Sequence, residues 1–186
     1  MFLLQIPSSL LSHPQLLRTK MTTTIEKFDS AGGFSIGKTV IVDESRNGKD
    51  LNTLEIKNSN YTDSNTTTYI LRGINTSSLE LDAVGTQIPI ANSTMNFITG
   101  HIVAVNETGV IFTSKLESAV YCDGSGAVSV MSTMETIIKD DIPSGQTWSI
   151  TPVGATNRFS YSTIRAGTTS TIKWAVSTQV TTLEWA

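Results

Sequence analysis

The segment TIKWAVSTQVTTLEW, residues 171–185, alternates apolar and polar side chains with a period of two. The apolar set is Ile172, Trp174, Val176 and Val180, and the polar set between them is Lys173, Ser177, Gln179 and Thr181. Successive side chains of a strand point to opposite faces, so this pattern predicts a half-buried β-strand with Trp174 in the core. No window of the chain has a convincing helical period, and the expectation from this segment is an all-β fold.

Further strand patterns precede this segment, separated by turn residues. SKLESAVYC (114–122) places Leu116, Val120 and Cys122 on one face. NFITGHIVAVN (96–106) is more continuously apolar, which predicts a central strand buried on both faces. LELDAV (79–84) predicts a strand with one solvent-exposed face. Regularly spaced strands with turns between them predict an antiparallel β-sandwich or jelly roll.

The composition supports the same fold class and disfavours two classes of partner. Serine and threonine together make up about a quarter of the 186 residues, and β-branched threonine suits half-buried strands. The net charge is −3 and only 16% of residues are charged, so we expect no nucleic-acid partner. The apolar stretches are too short and interrupted to span a bilayer, so we expect no membrane partner.

The chain divides into three regions by pattern. Residues 1–20 are leucine-rich but broken by Pro7 and Pro14, and Met21 is a second possible start; we expect an N-terminal arm or an over-extended reading frame. Residues 21–68 predict an extended, hairpin-containing region for anchoring and oligomerisation. It ends in the polar stretch NSNYTDSNTTTY (58–69), which predicts a loop or linker. Residues 69–186 predict the β-sandwich.

Residues that suggest chemistry are explained more simply by structure. GFSIG (33–37) matches the G-x-S-x-G pattern of serine hydrolases, but KTVIVD continues as strand where that pattern needs a helix. His101 lies within a predicted strand, and Asp140 and Asp141 precede a predicted turn. Cys122, the single cysteine, is expected to be buried as a small hydrophobe. We therefore predict no catalytic residue, no cofactor and no metal site.

The aromatic residues of the C-terminal region are the remaining candidates for a binding site. Their flat apolar rings suit the faces of sugars, although core packing is the commoner use of such side chains. Trp174 belongs to the core by its alternation, whereas Tyr161 and Trp185 are predicted as possible ligand-facing residues.

Four segments of the C-terminal half occur in an order that resembles the C-terminal module of bacteriophage tail and tail-fibre proteins. They are residues 93–109, 116–130, 140–153 and 168–184. The matching positions are Phe97, Gly100, Val103 and Ala104, then Trp148 and Ile150, then Thr171, Ile172, Lys173, Trp174, Thr182 and Glu184. GGFSIGKTVIVDESRN (32–47) is similar to short repeats that precede such modules. The chain departs from the pattern at Val105 and Asn106, where the family often has an arginine, and it has no long shaft.

The resemblance implies a virion structural protein, most simply a short tail fibre or tail adaptor that forms a homotrimer. It would dock to other virion proteins through its N-terminal region and expose the sandwich to a host-surface glycan or receptor. Two alternatives stay open: a capsid decoration or head-fibre protein, and a carbohydrate-binding module or depolymerising tailspike. The last would require carboxylates converging in a groove.

Overall fold

A computed structural model describes residues 34–36, 39–42, 48 and 51–185. Every regular element in those residues is a β-strand, which confirms the all-β prediction. The strands are β1 (Phe34–Ile36), β2 (Thr39–Val42), β3 (Thr53–Lys57), β4 (Ser64–Ile74), β5 (Ile88–Pro89), β6 (Thr94–Asn106), β7 (Ile111–Cys122), β8 (Val128–Asp140), β9 (Thr147–Ala155), β10 (Arg158–Ala166) and β11 (Ile172–Glu184). They fall into two compact units that divide between Asn47 and Gly48.

The first unit contains an antiparallel hairpin of β1 and β2. Ser35 lies inside β1 and pairs with Val40, and β2 follows as a strand. A nucleophile elbow places its serine at a turn from a strand into a helix. The strand interpretation of Ser35 is therefore confirmed. The N-terminal arm, residues 1–20, lies outside the described residues.

The second unit holds two antiparallel sheets. The larger has six strands in the order β3-β4-β11-β6-β7-β8, and the smaller has three in the order β5-β10-β9. β11 lies between β4 and β6 and pairs with both over eleven or more residues. The alternating segment from which the fold was predicted is thus an interior strand of the larger sheet.

The two sheets face each other across one hydrophobic core, as in a sandwich. The larger sheet contributes Leu71, Ile98, Ile102, Leu116, Val120, Trp174 and Val176, and the smaller contributes Ile88, Trp148, Ile150, Phe159 and Tyr161. Trp174 is 1% exposed, and its indole nitrogen donates to the Asn75 carbonyl at 3.0 Å. The core positions predicted for β7 and β11 are confirmed, including the buried Cys122.

Two predicted segments differ from the structure. Residues 64–69, interpreted as linker, form the first half of β4, where six consecutive side chains are half-buried against neighbouring strands. Their serine and threonine side chains suit a strand as well as they suit a loop. The polar composition therefore did not distinguish the two, and the linker prediction is wrong for these residues. LELDAV forms no strand; it makes one isolated bridge, from Glu80 to Arg72, while Leu79 is fully buried.

The prediction that β6 is buried on both faces is also wrong. Among the residues that the structure describes, only the face bearing Ile98 and Ile102 is covered, because the smaller sheet lies against one side of the larger. Phe97 and Val103, on the opposite side of the same strand, are half exposed. A central position within a sheet gives hydrogen-bond partners on both edges, and it does not by itself cover both faces.

Candidate functional site

The candidate site is the outer face of the six-stranded sheet, meaning the face turned away from the core. Cross-strand register assigns residues to it in rows that run across the sheet. One row contains Ile56, Thr66, Thr181, Phe97 and Ala119. On β6, β7 and β11 these side chains alternate with core residues, namely Ile98, Val120 and Val180, so this part of the row lies directly behind the sandwich core.

One half of this outer face is almost uncharged, and we name it the apolar end. Its exposed apolar side chains are Leu54, Ile56, Met95, Phe97, Met134 and Leu183. Between them lie threonines, including a hydroxyl pair, Thr66 and Thr181, whose Oγ1 atoms are 3.2 Å apart. The one charged side chain in its rows, Glu117, accepts from Lys115 at 2.9 Å.

The other half of the outer face is the basic end. Arg72, His101, Lys115 and Lys173 all belong to its rows. Lys139, on the neighbouring edge strand, forms an ion pair with Asp141 at 2.7 Å. The two halves of the outer face therefore differ in charge along the direction of the strands, although the basic end also has exposed apolar side chains, namely Ile70, Ile74, Val103 and Ile111.

An aromatic pair, an exposed Trp185 stacked on a half-buried Tyr121, lies at the margin of the apolar end. Trp185 follows β11 and is held there by its backbone N–H, which donates to the Ser93 carbonyl. Its ring stacks on Tyr121 of β7 with centroids 5.9 Å apart and an interplanar angle of 11°. Trp185 is 52% exposed, so its position is compatible with a binding role, which stays a prediction.

Tyr161, the other predicted ligand-facing aromatic, is a core residue, and that prediction is wrong. It is fully buried, its ring packs edge-on against Phe159, and its hydroxyl accepts from Thr178 at 3.3 Å. Burial raises the pKa of Tyr161 to about 12, and the Thr178 hydrogen bond opposes that rise. The alternation of RFSYSTI already placed Tyr161 on the same strand face as Phe159.

The residues that suggested chemistry lie apart from one another. His101 is an exposed strand-face residue of β6. Asp140 accepts from the Ile142 backbone N–H at 2.9 Å, and Asp141 pairs with Lys139, so both carboxylates organise the turn after β8. Burial, followed by the nearby Asp123 charge, raises the pKa of the Cys122 thiol. A thiol held neutral in this way is a poor nucleophile.

A shallow cavity of about 290 Å³ brings two carboxylates together, and the sequence interpretation missed it. Glu80 and Asp82 line it with Arg72, Ile70 and Asn52. Asp82 accepts from the backbone N–H groups of Val84 and Thr86, and hydrogen bonds, chiefly from the Thr86 side chain, lower its pKa. The carboxylate is thus held ionised and occupied by its own loop. The sequence signal for this pair was the two-residue spacing of Glu80 and Asp82 in LELD, which places both carboxylates on the same side of an extended segment.

Among residues 51–185 and the short described stretches before them, no three His, Cys, Asp or Glu side chains are grouped as metal ligands. Within the same residues, no helix has the length and apolar character needed to cross a membrane.

Comparison with protein-family models and with curated proteins found no match. Among solved structures, the chain has a likeness to a tailspike protein of the Acinetobacter baumannii bacteriophage Fri1, a capsular polysaccharide depolymerase. The TM-score is 0.36 and the identity 14%, over 71% of this chain and 21% of that chain. This chain therefore spans about a fifth of the tailspike's length, and a likeness at this level does not define a shared fold or function.

Proposed function

We propose that this chain is a non-enzymatic structural component of a bacteriophage virion, a short tail fibre or tail adaptor built as a homotrimer. In this role the N-terminal unit, which ends at Asn47, anchors the chain to other virion proteins, and the sandwich, which includes β3 and β4, is presented for contact with the host. The motif resemblance at Phe97, Trp148 and Trp174 gives the class of protein.

The observation that carries the proposal is the uncovered apolar end of the outer face. Monomeric soluble proteins rarely expose contiguous apolar patches beyond a few hundred Å², and larger patches mark interaction surfaces. Antiparallel sheets commonly leave one face in solvent, so it is the apolar character of this end, and not the open face alone, that supports a role within an assembly. A virion supplies neighbours at fixed positions, and symmetric neighbours cover such surfaces.

The proposal is tested by immunogold electron microscopy of phage particles whose genome encodes this chain, with antibody raised against the full chain. We expect gold at the tail. Antibody pre-absorbed with the purified chain, and particles lacking the gene, are the controls. Gold confined to the head would contradict the tail role in favour of a decoration protein, and unlabelled particles would contradict a virion role.

A second candidate function, carbohydrate binding, is favoured by the stacked pair of Tyr121 and Trp185. An exposed aromatic face stacks on the apolar face of a pyranose, and Trp185 offers such a face. Isothermal titration of the full chain with purified host surface polysaccharide tests it. We expect Trp185→Ala to weaken binding at least tenfold, while Ile138→Ala, an exposed substitution on β8, leaves it unchanged. Equal binding by both variants would contradict the role.

A further inference from the structure

We propose that the apolar end of the outer face is where a second copy of this chain docks, sheet face against sheet face. This inference rests on the self-association part of the proposed function and not on its trimeric state, because identical faces that meet sheet against sheet are related by a two-fold axis and join copies in pairs. It does not depend on where the protein sits in a virion.

The near absence of charge at the apolar end favours an identical copy over a charged partner. The two outermost rows of the apolar end, one through Phe97 and one through Met95 and Leu183, contain no ionisable group other than the Tyr121 phenol. The third row contains Glu117, which is already paired with Lys115. A charged partner would find no counter-charge here, whereas an identical apolar end brings apolar side chains without like-charge repulsion.

The basic end limits the overlap of the two copies. If whole outer faces were superposed with their strands parallel, the rows that carry Arg72 and Lys173 would face the same rows of the other copy and bring cations close to cations. Like charges brought together at an interface are unfavourable. The contact is therefore centred on the apolar end, with the basic ends directed outward, and packed sheets lie about 10 Å apart.

The area is sufficient for a specific contact. Strands lie about 4.8 Å apart and rows on one face lie about 6.6 Å apart, so six strands and three rows cover about 29 by 20 Å, or roughly 570 Å² in projection. The standing side chains have more accessible surface than this flat projection. That brings the contact to the lower end of the roughly 600–1,000 Å² that each partner buries in a standard stable interface.

The test measures the mass of the full chain by light scattering and native mass spectrometry at about 10 µM. We expect the wild type to be an oligomer, and Phe97→Asp to raise its dissociation constant at least 100-fold, because each copy would bury an unpaired charge. Ile138→Asp is the matched control: Ile138 is 68% exposed against 53% for Phe97, and it lies on β8 beyond the rows of the apolar end. We expect this variant to keep the wild-type mass.

The fold of each variant is checked by circular dichroism and by its unfolding midpoint. If Phe97→Asp fails to fold, Leu183→Asp on the neighbouring strand replaces it, since Leu183 is equally exposed. A monomeric wild type would overturn the proposal, as would a Phe97→Asp oligomer of unchanged mass. Dissociation by Ile138→Asp alone would overturn it in favour of pairing through β8. These outcomes are independent of gold labelling, so failure of the interface and failure of the virion role are distinguishable.

Discussion

The two faces of the six-stranded sheet have similar strand patterns and opposite surroundings. On the inner face Trp174 is 1% exposed beneath the smaller sheet; on the outer face Phe97, on the neighbouring strand and seven residues from the Ala104 that pairs with Trp174, is 53% exposed. Both are large aromatic side chains at alternating positions. The difference shows that an apolar side chain on a strand indicates a contact surface, while the tertiary structure decides whether that contact lies within one chain.

The largest expected loss of folding stability comes from truncating a large buried side chain on the inner face. Trp174→Ala removes a buried indole, its edge-on contact with Phe112, and the donor to the Asn75 carbonyl. We expect the free energy of unfolding to fall by about 3–5 kcal/mol. Urea unfolding of the full chain measures it, and a loss below about 1 kcal/mol would mean that the inner face is not the core.

The buried Tyr161 phenol makes the free energy of unfolding depend on pH. Its pKa rises from 10.0 to about 12 on burial, so the folded state holds the proton more tightly than the unfolded state. The resulting stabilisation is complete below pH 10 and is lost as the pH rises through 12, an expected total of about 2–3 kcal/mol. Unfolding free energies measured across this range should fall more steeply for the wild type than for Tyr161→Phe. Parallel curves would contradict the assignment.

Gly100 tests how tightly the inner face is packed. A Cβ added there would lie 2.5 Å from the Tyr161 hydroxyl oxygen and 3.1 Å from Val176 Cγ1. We expect Gly100→Ala to cost about 1–3 kcal/mol, because the core must shift to admit the methyl group. Gly124→Ala is the control, since its nearest neighbour is the Ser93 Oγ at 3.7 Å. Equal stabilities of the two variants by thermal unfolding would refute close packing at Gly100.

The smallest change in folding stability is expected from a substitution at the basic end of the outer face. Val103 is half exposed in the row that carries Arg72, next to the row that carries Lys173. We expect Val103→Thr to change the free energy of unfolding by less than about 0.5 kcal/mol, as is usual for surface substitutions. A loss above about 1 kcal/mol in urea unfolding would show that this end is covered.

The sequence predicted the strands whose two faces differ in polarity and failed where they do not. β7 and β11 alternate strictly, so their buried residues were assigned correctly. β6 has apolar residues on both faces, and a single sequence does not reveal whether the second face is covered by the same chain. The threonine-rich start of β4 has no apolar pattern, because its strand conformation comes from pairing with β11 and β3.

The candidate site was predictable only in part, for a related reason. Trp185 lies at the end of a strand, where local sequence gives its exposure correctly. Tyr161 is polar at one end, and only the tertiary structure shows that Thr178 and Gly100 accommodate its hydroxyl. The apolar end combines residues from six strands that are far apart in sequence, so no local motif describes it.

The edge strand β8 has a consequence for how assembly terminates. It is thirteen residues long, yet its register with β7 shifts twice, at Thr113/Ser114 and at Ala119/Val120. Such bulges, together with Glu135 opposite Leu116 on the inner side, oppose the addition of another strand. Association through a sheet face ends once the two faces cover each other, whereas strand-by-strand addition at a sheet edge leaves a new free edge each time and continues without limit. The irregular edge thus favours particles of finite size over open-ended fibrils.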